Sequence, residues 1–271
     1  MTKHNVYFGD CRTMKGVDDQ SVQLVVTSPP YWSIKDYGNN DQIGYGETVD
    51  EYQNSLGLVI NECHRALSPG CRMAVNIGDQ YLRASEHGKY SVLPIPIYII
   101  QRSMDAGFDY MGSIIWTKIT STNTTGGCSW MGATYYPGDG HVTYEHEYIC
   151  LFRKSGKRVT PKDPDIREGS KLTKEERSHW FRGLWNDVRP VRQTEHVAMF
   201  PTDIPNRLIR MYTYIGETVL DPFMGSGTTA LAAYESNRNS IGYELNPQML
   251  PVMKEKVGKF IVPTSEDEEQ V

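Results

Sequence analysis

Hydrophobic positions along the chain fall into two alternating patterns. Short, continuous apolar runs of about four to eight residues read as buried strands, and longer stretches with apolar residues every three or four positions read as helices. The strand-like runs are "NVYFGD", "SVQLVV", "CRMAVNIGD", "YMGSIIWTKI", "HEYICLFRK", "TVLDPF" and "NSIGYEL". Between them, Thr48 with Glu51 forms a capping box that predicts a helix to about Leu67, with Gly70 as its left-handed stop. The stretch "SVLPIPIYIIQRSMDAGF" predicts a second helix, its prolines confined to the first turns. Further helices are expected from Thr202 to Tyr214 with Gly216 as stop, over "TTALAAYESNR", and near 247–259. Strands alternating with helices predict an α/β fold with a doubly wound, mostly parallel sheet.

Two segments carry no period. "TSTNTTGGCSWMGATYYPGDGH" is rich in Gly, Thr and Tyr, and "SGKRVTPKDPDIREGSKLTKEERSHW" is polar and basic, with a short helical patch at its end. Loops of this length inside a compact domain are usually functional or disordered.

Composition narrows the class. At 271 residues, 39% hydrophobic and 23% charged, the chain suits a soluble α/β protein of one large or two small domains. No apolar run reaches the roughly 18 residues that cross a bilayer, and "MTKHNVYFGD" lacks an apolar leader. Cysteines 11, 63, 71, 128 and 150 form no C-x-x-C and no metal-like spacing, so reduced thiols, a cytoplasmic location and no metal site are expected. A net charge of −5 argues against a nonspecific nucleic-acid coat. The charge is uneven, however: residues 153–192 hold twelve Lys/Arg against six Asp/Glu, a basic segment compatible with DNA. The end, "SEDEEQV", is acidic and expected to be disordered.

Two motifs carry chemistry. In "VLDPFMGSGTTA", Gly225-x-Gly227-x-x-Ala230 follows an apolar strand and opens a helix. Glycines let a ligand approach the backbone, and the helix start offers free N–H groups. Glu244 ends the next strand, 17 residues after Gly227, where a carboxylate can accept both hydroxyls of a ribose. The pattern fits a nucleoside cofactor and does not choose between NAD and S-adenosylmethionine. A phosphate-binding Walker loop is excluded, since no Gly-Lys-Ser/Thr follows.

The second motif is "TSPPYW", residues 27–32. Proline has a carbonyl and no N–H, so Ser28-Pro29-Pro30 offers acceptors and few donors. Such a site suits a donor substrate, for example an exocyclic amine. The Ser28 hydroxyl and Pro29 carbonyl would hold its two hydrogens and free the nitrogen lone pair for attack. Tyr31, with Trp32 beside it, would stack on a base turned out of its duplex. The bland alternative is a strand terminator with a core tyrosine. Ser28 lacks the Gly-x-Ser-x-Gly elbow of a hydrolase, and no Pro-Cys dipeptide supplies the nucleophile that methylation at a cytosine ring carbon requires.

"TSPPYW" followed by "DPFMGSGTT" and "IGYELNP" resembles the β-group of amino DNA methyltransferases, in which the catalytic motif precedes the cofactor motif. "GDC" at 9–11, "HEYICLFRK" at 146–154 and "HVAMFP" at 196–201 fall at the family's weaker motifs, so the likeness covers most of the chain. The resemblance implies a Rossmann-like class I methyltransferase fold, circularly permuted, with S-adenosylmethionine as cofactor. It assigns Ser28, Pro29, Pro30 and Tyr31 to the target base. Asp221, Pro222, Phe223, Gly225, Ser226, Gly227 and Thr228 are assigned to the methionine part of the cofactor, with Phe200 and Pro201 nearby, Glu244 to its ribose and Asp10 to its adenine. Asp10 and His196 are equally compatible with structural roles, and Asp79 reads as a turn residue.

The expected organisation is a catalytic part at 1–154, a short basic target-recognition region at 155–195, a cofactor part at 196–262 and an acidic tail at 263–271. Trp32, Lys154, Lys157, Arg158, Arg167, Lys171 and Arg182 are the candidate DNA contacts. Duplex DNA is the expected partner, with a cognate restriction endonuclease and a homodimer implied by analogy. The family's adenine enzymes mostly carry Asp before Pro-Pro and its cytosine-N4 enzymes Ser, so cytosine N4 is expected and adenine N6 is the alternative. Outside these, an RNA base methyltransferase, an NAD-dependent oxidoreductase and a catalytically idle DNA-binding protein remain open.

Overall fold

The computed structural model describes residues 2–33, 36, 39, 41–118, 145–190 and 201–265. The first half runs β1 (His4–Phe8), β2 (Val22–Thr27), α1 (Val49–Ala66), β3 (Leu67–Ile77), β4 (Gln80–Leu82), α2 (Ala84–His87), β5 (Ser91–Leu93), α3 (Ile95–Asp105), β6 (Phe108–Thr117) and β7 (His146–Lys154). It continues with α4 (Pro164–Gly169), α5 (Lys174–Trp180), β8 (Leu184–Trp185), α6 (Asp203–Tyr212), β9 (Thr218–Asp221), α7 (Thr228–Glu235), β10 (Asn239–Glu244), α8 (Leu250–Val257) and β11 (Ile261–Thr264).

Nine strands form one sheet in the order β11-β1-β10-β9-β2-β3-β7-β6-β8, while β4 and β5 pair separately. Only β7 runs against its neighbours, so the sheet is mostly parallel, as the alternation of elements predicts. Both faces are covered, as near-continuous apolar strands require. Tyr52, Leu56, Val59 and Ile60 of α1 and Ile95 and Ile99 of α3 bury one face with Val25, Met73 and Val75. Ile204, Leu208 and Ile209 of α6 and Ala232 and Ala233 of α7 bury the other with Leu24, Val26 and Val219.

The predicted cap of α1 forms as a full capping box between Thr48 and Glu51. Gly70 does not stop that helix. The chain passes straight from Ala66 into β3, and Gly70 (φ +76°) lies within the strand, where a Cβ would meet the Arg158 backbone nitrogen at 2.5 Å. At the far end, Pro263 and Thr264 belong to β11 and pair with β1, because Ile261 is buried and β1 otherwise ends the sheet. Residues 266–271 of the expected tail lie outside the described residues.

The topology brings distant segments together. β2, early in the chain, pairs in parallel with β9, nearly two hundred residues later (Leu24↔Val219, Val25↔Leu220). From β2 the chain continues outward through β3, and from β9 it continues the other way through β10. The loops after β2 and β9 therefore flank a switch point, the place where open parallel sheets bind ligands.

Candidate active site

Ser28, Pro29, Pro30 and Tyr31 leave the end of β2 on the rim of this crevice. The Pro30 carbonyl accepts the Tyr52 hydroxyl at 2.8 Å, which fixes the loop to α1. By contrast, the Ser28 hydroxyl and the Pro29 carbonyl have no partner among the described residues. These are the two acceptors that the sequence reserves for an amine. Trp32 is anchored rather than free: its indole N–H donates to the Glu47 carbonyl at 2.7 Å, and its ring lies 5.5 Å from that of His87.

Beside it, β9 ends at Asp221 and the glycine loop turns into α7. Gly225 and Gly227 hold φ of +53° and +80°, which glycine adopts without a Cβ penalty. Asp221 is 1% exposed, and its carboxylate is engaged by internal donors. It accepts the Thr27 hydroxyl at 2.7 Å, the Phe223 N–H at 3.0 Å and the Thr229 hydroxyl at 2.6 Å. Burial pushes its pKa up to about 6, opposed by these hydrogen bonds. Ser226 and Thr228 are buried as well, and their hydroxyls accept from the Lys256 ammonium at 3.0 and 2.5 Å. Asp221, Ser226 and Thr228 thus brace the glycine loop through internal hydrogen bonds. Pro222 is buried, while Phe223 and the Gly225 backbone are partly exposed.

Glu244 ends β10 next to this loop. It accepts the Gly225 N–H at 2.8 Å on one oxygen and the Asn246 N–H at 2.9 Å on the other. Each oxygen keeps a lone pair for a further donor. Burial raises its pKa, and the charge of Asp221 adds to the rise. Asp10 follows β1, the strand paired with β10, and is clamped by Arg12 through its backbone N–H (2.9 Å) and guanidinium (2.7 Å). Pro201 is buried, and Phe200 and His196 lie outside the described residues.

A group that sequence reasoning did not single out adjoins Tyr31. Glu147, 8% exposed near the start of β7, accepts Asn76 Nδ2 at 2.8 Å and pairs with the Lys118 ammonium. The Tyr31 hydroxyl lies beside Glu147 and Gly78: a Cβ on Gly78 would stand 3.1 Å from Glu147 Cγ and 3.6 Å from the Tyr31 oxygen. The ring is partly exposed, while enclosure of the hydroxyl and the Glu147 charge hold its pKa well above the usual phenol value. Asn76 Oδ1 and Gln80 Oε1 are buried nearby in the chain without a protein partner among the described residues. The available signal was an acid inside the apolar run "HEYICLFRK". Asp79, which reads as a turn residue, follows β3, and burial raises its pKa against the opposing influence of His146.

Most of the basic candidates are not brought to this crevice. Lys154 ends β7, the antiparallel strand, and so lies at the opposite end of the strands from Ser28. It donates to the His64 carbonyl at 2.6 Å. Arg158 packs against the start of β3, bonds the Tyr212 carbonyl and pairs with Glu217, just before β9 begins. Lys157, next to it, follows to the same end. Arg167 and Lys171 line a cleft there with Arg158 and Arg210, and Lys171 pairs with Glu168 at 3.0 Å. The basic segment is partly core, since Trp185 and Val188 are buried. Arg182 is exposed, just before β8. Among the described residues no group of His, Cys, Asp and Glu could hold a metal, and no helix is long and apolar enough to cross a membrane.

Comparison with known proteins gives a consistent result. The N6/N4 family described as DNA methylase matches residues 22–255. The type II methyltransferase M.MjaI of Methanocaldococcus jannaschii is 37% identical, with 95% of this chain and 92% of that protein covered. Among solved structures, TTHA0409 of Thermus thermophilus, complexed with S-adenosyl-L-methionine, superposes with a TM-score of 0.78 at 33% identity. That match covers 96% of this chain and 99% of the other. The cytosine-N4-specific PvuII DNA methyltransferase shares the fold, with a TM-score of 0.64 at 21% identity over 94% of this chain and 86% of that one.

Proposed function

The chain belongs to the N6/N4 DNA methylase family, and from that premise we propose that it methylates the exocyclic N4 amine of cytosine in duplex DNA. The observation that carries the reading is an acceptor-rich loop, Ser28–Tyr31, standing beside a glycine loop across the β2–β9 pair. S-adenosylmethionine is the cofactor, and when bound it supplies an electrophilic methyl group on a sulfonium. The residues present fit it. Phe223 and the Gly225 backbone line the open side of the loop, Glu244 retains acceptor capacity for ribose hydroxyls, and Asp10 stands on the adjacent strand end for the adenine.

The protein's own contribution is alignment. The Ser28 hydroxyl and Pro29 carbonyl accept the two amino hydrogens, and this favours a pyramidal nitrogen with its lone pair directed outward. Tyr31 supports the face of a flipped base. Once the N–C bond has formed and the S–C bond has broken, with its electron pair left on a neutral thioether, the nitrogen would be positively charged; the acceptors that hold its hydrogens would disperse that charge until one leaves as a proton to water.

Cytosine is favoured over adenine because Ser28 occupies the position where the adenine enzymes mostly carry Asp, whose carboxylate is the stronger acceptor. The same order of motifs, catalytic strand first and cofactor strand late yet paired side by side, is read as a circular permutation. The segment 155–195 reaches the end of the sheet at which Ser28 lies through β8, where Leu184 and Trp185 pair in parallel with Ile115 and Trp116 of β6. It takes the target-recognition role in this reading, and a cognate restriction endonuclease is the expected partner of a type II enzyme. Calorimetry with S-adenosylmethionine and NAD tests the cofactor, and only the former should bind. Transfer of a labelled methyl group to duplex DNA tests the reaction, and Ser28→Ala should keep cofactor binding while losing most turnover.

A further inference from the structure

We propose that Glu147, itself held by Lys118 and Asn76, is a positioning residue that fixes the Tyr31 ring for the reacting base. The inference deepens the methyltransferase reading and rests on it.

Glu147 is a carboxylate at the buried end of an apolar strand, a position that is costly without compensating donors. Its donors come from the two flanking strands and from the catalytic loop. Asn76 lies on β3, where it pairs with Ile149, and Lys118 directly follows β6, whose Trp116 pairs with Glu147. Sheet register thus sets two of the three partners, so the carboxylate is a fixed post. Tyr31 is the third, and it comes from the loop after β2, which no ladder holds.

Gly78 makes this approach possible. A Cβ there would sit 3.1 Å from Glu147 Cγ and 3.6 Å from the Tyr31 oxygen. The Tyr31 ring is therefore anchored at both ends, by its backbone on the rim and by its hydroxyl on Glu147. A ring so held presents a face without first losing rotational freedom to the substrate. Burial, with the Glu147 charge adding to it, keeps the phenol protonated, so the hydroxyl serves as a tether rather than as an acid or base.

A merely structural ion pair would behave differently, because its loss would change stability and leave the ring's part in turnover intact. Tyr31→Phe, which removes one oxygen, and Glu147→Gln, which is isosteric, are compared singly and together. The readouts are kcat at saturating DNA and cofactor, the Kd for S-adenosylmethionine, and quenching of a fluorescent base analogue at the target position. Each single variant should lower kcat about tenfold or more. The double variant should be no slower than the worse single one, and cofactor Kd should be unchanged. Stacking-dependent quenching should fall in all three.

Additive losses, or unchanged kcat in Tyr31→Phe, would overturn the inference. Should Glu147→Gln not fold, Tyr31→Phe decides alone through kcat and quenching. No methylation by the unaltered chain would overturn the functional reading and this inference with it. A methylating parent with fully active variants would overturn the inference alone.

Discussion

The Thr27 hydroxyl donates to the Asp221 carboxylate at 2.7 Å, across 194 positions of sequence. One residue ends the strand that carries the catalytic loop, and the other ends the strand that carries the glycine loop. Asp221 also holds Phe223 and Thr229, so a single buried carboxylate links the end of β2, where the Ser28–Tyr31 loop begins, to the glycine loop.

Thr27→Val keeps the shape and removes the donor. One buried acceptor then loses a partner, at a cost of about 1–3 kcal/mol. Urea denaturation should show that loss, and titration calorimetry should show weaker S-adenosylmethionine binding although residue 27 does not line the cofactor. Equal stability would mean that the bond contributes nothing.

Titration of Asp221 gives a pH signature. Its folded pKa of about 6 lies above its unfolded value, so the folded state binds the proton more tightly. The associated stability is present in full below about pH 4 and is lost as pH rises through 6, up to about 3 kcal/mol for two pKa units. Asp221→Asn cannot titrate. Its unfolding free energy should fall less than that of the parent between pH 4 and 6, and parallel curves would contradict the assignment.

Gly242, in β10, tests packing beneath the loop. A Cβ there would fall 1.7 Å from the Met224 Cε, so Gly242→Ala forces Met224 to move, and Met224 leads into Gly225. The expected outcome is an overpacking loss of about 1–3 kcal/mol and weaker cofactor binding, measured by thermal shift with and without S-adenosylmethionine. A cofactor-induced shift equal to that of the parent would show that the loop tolerates the displacement.

Arg158 separates a structural role from a DNA-binding one. Because it is paired with Glu217 at the strand end opposite Ser28, Arg158→Met should lower stability by about 1–3 kcal/mol. The salt dependence of DNA binding should not change. A phosphate contact would instead reduce the log–log salt slope by about 1.

Much of this is legible in the sequence because local chemistry and global fold agree. The capping box at Thr48, the apolar strand runs and the strand–glycine–helix order around Gly225 each follow from short-range rules. What escapes depends on long-range register. Glu147 meets Asn76, Lys118 and Tyr31 only because β7 runs antiparallel between β3 and β6, which no local pattern announces. The basic segment 155–195 reads as a DNA-facing surface from its charge density, whereas the end of the strands that each cation reaches is set by register. Gly70 reads as a cap although it lies in a strand, because left-handed glycine serves helix ends and strand irregularities alike.

Mass spectrometry of nucleosides from duplex DNA incubated with the protein and S-adenosylmethionine is the most direct test of the central claim. N4-methylcytosine, absent without cofactor and lost with Ser28→Ala, is the result predicted. N6-methyladenine in its place would contradict the assignment of the base, and no methylated nucleoside at all would contradict the reaction.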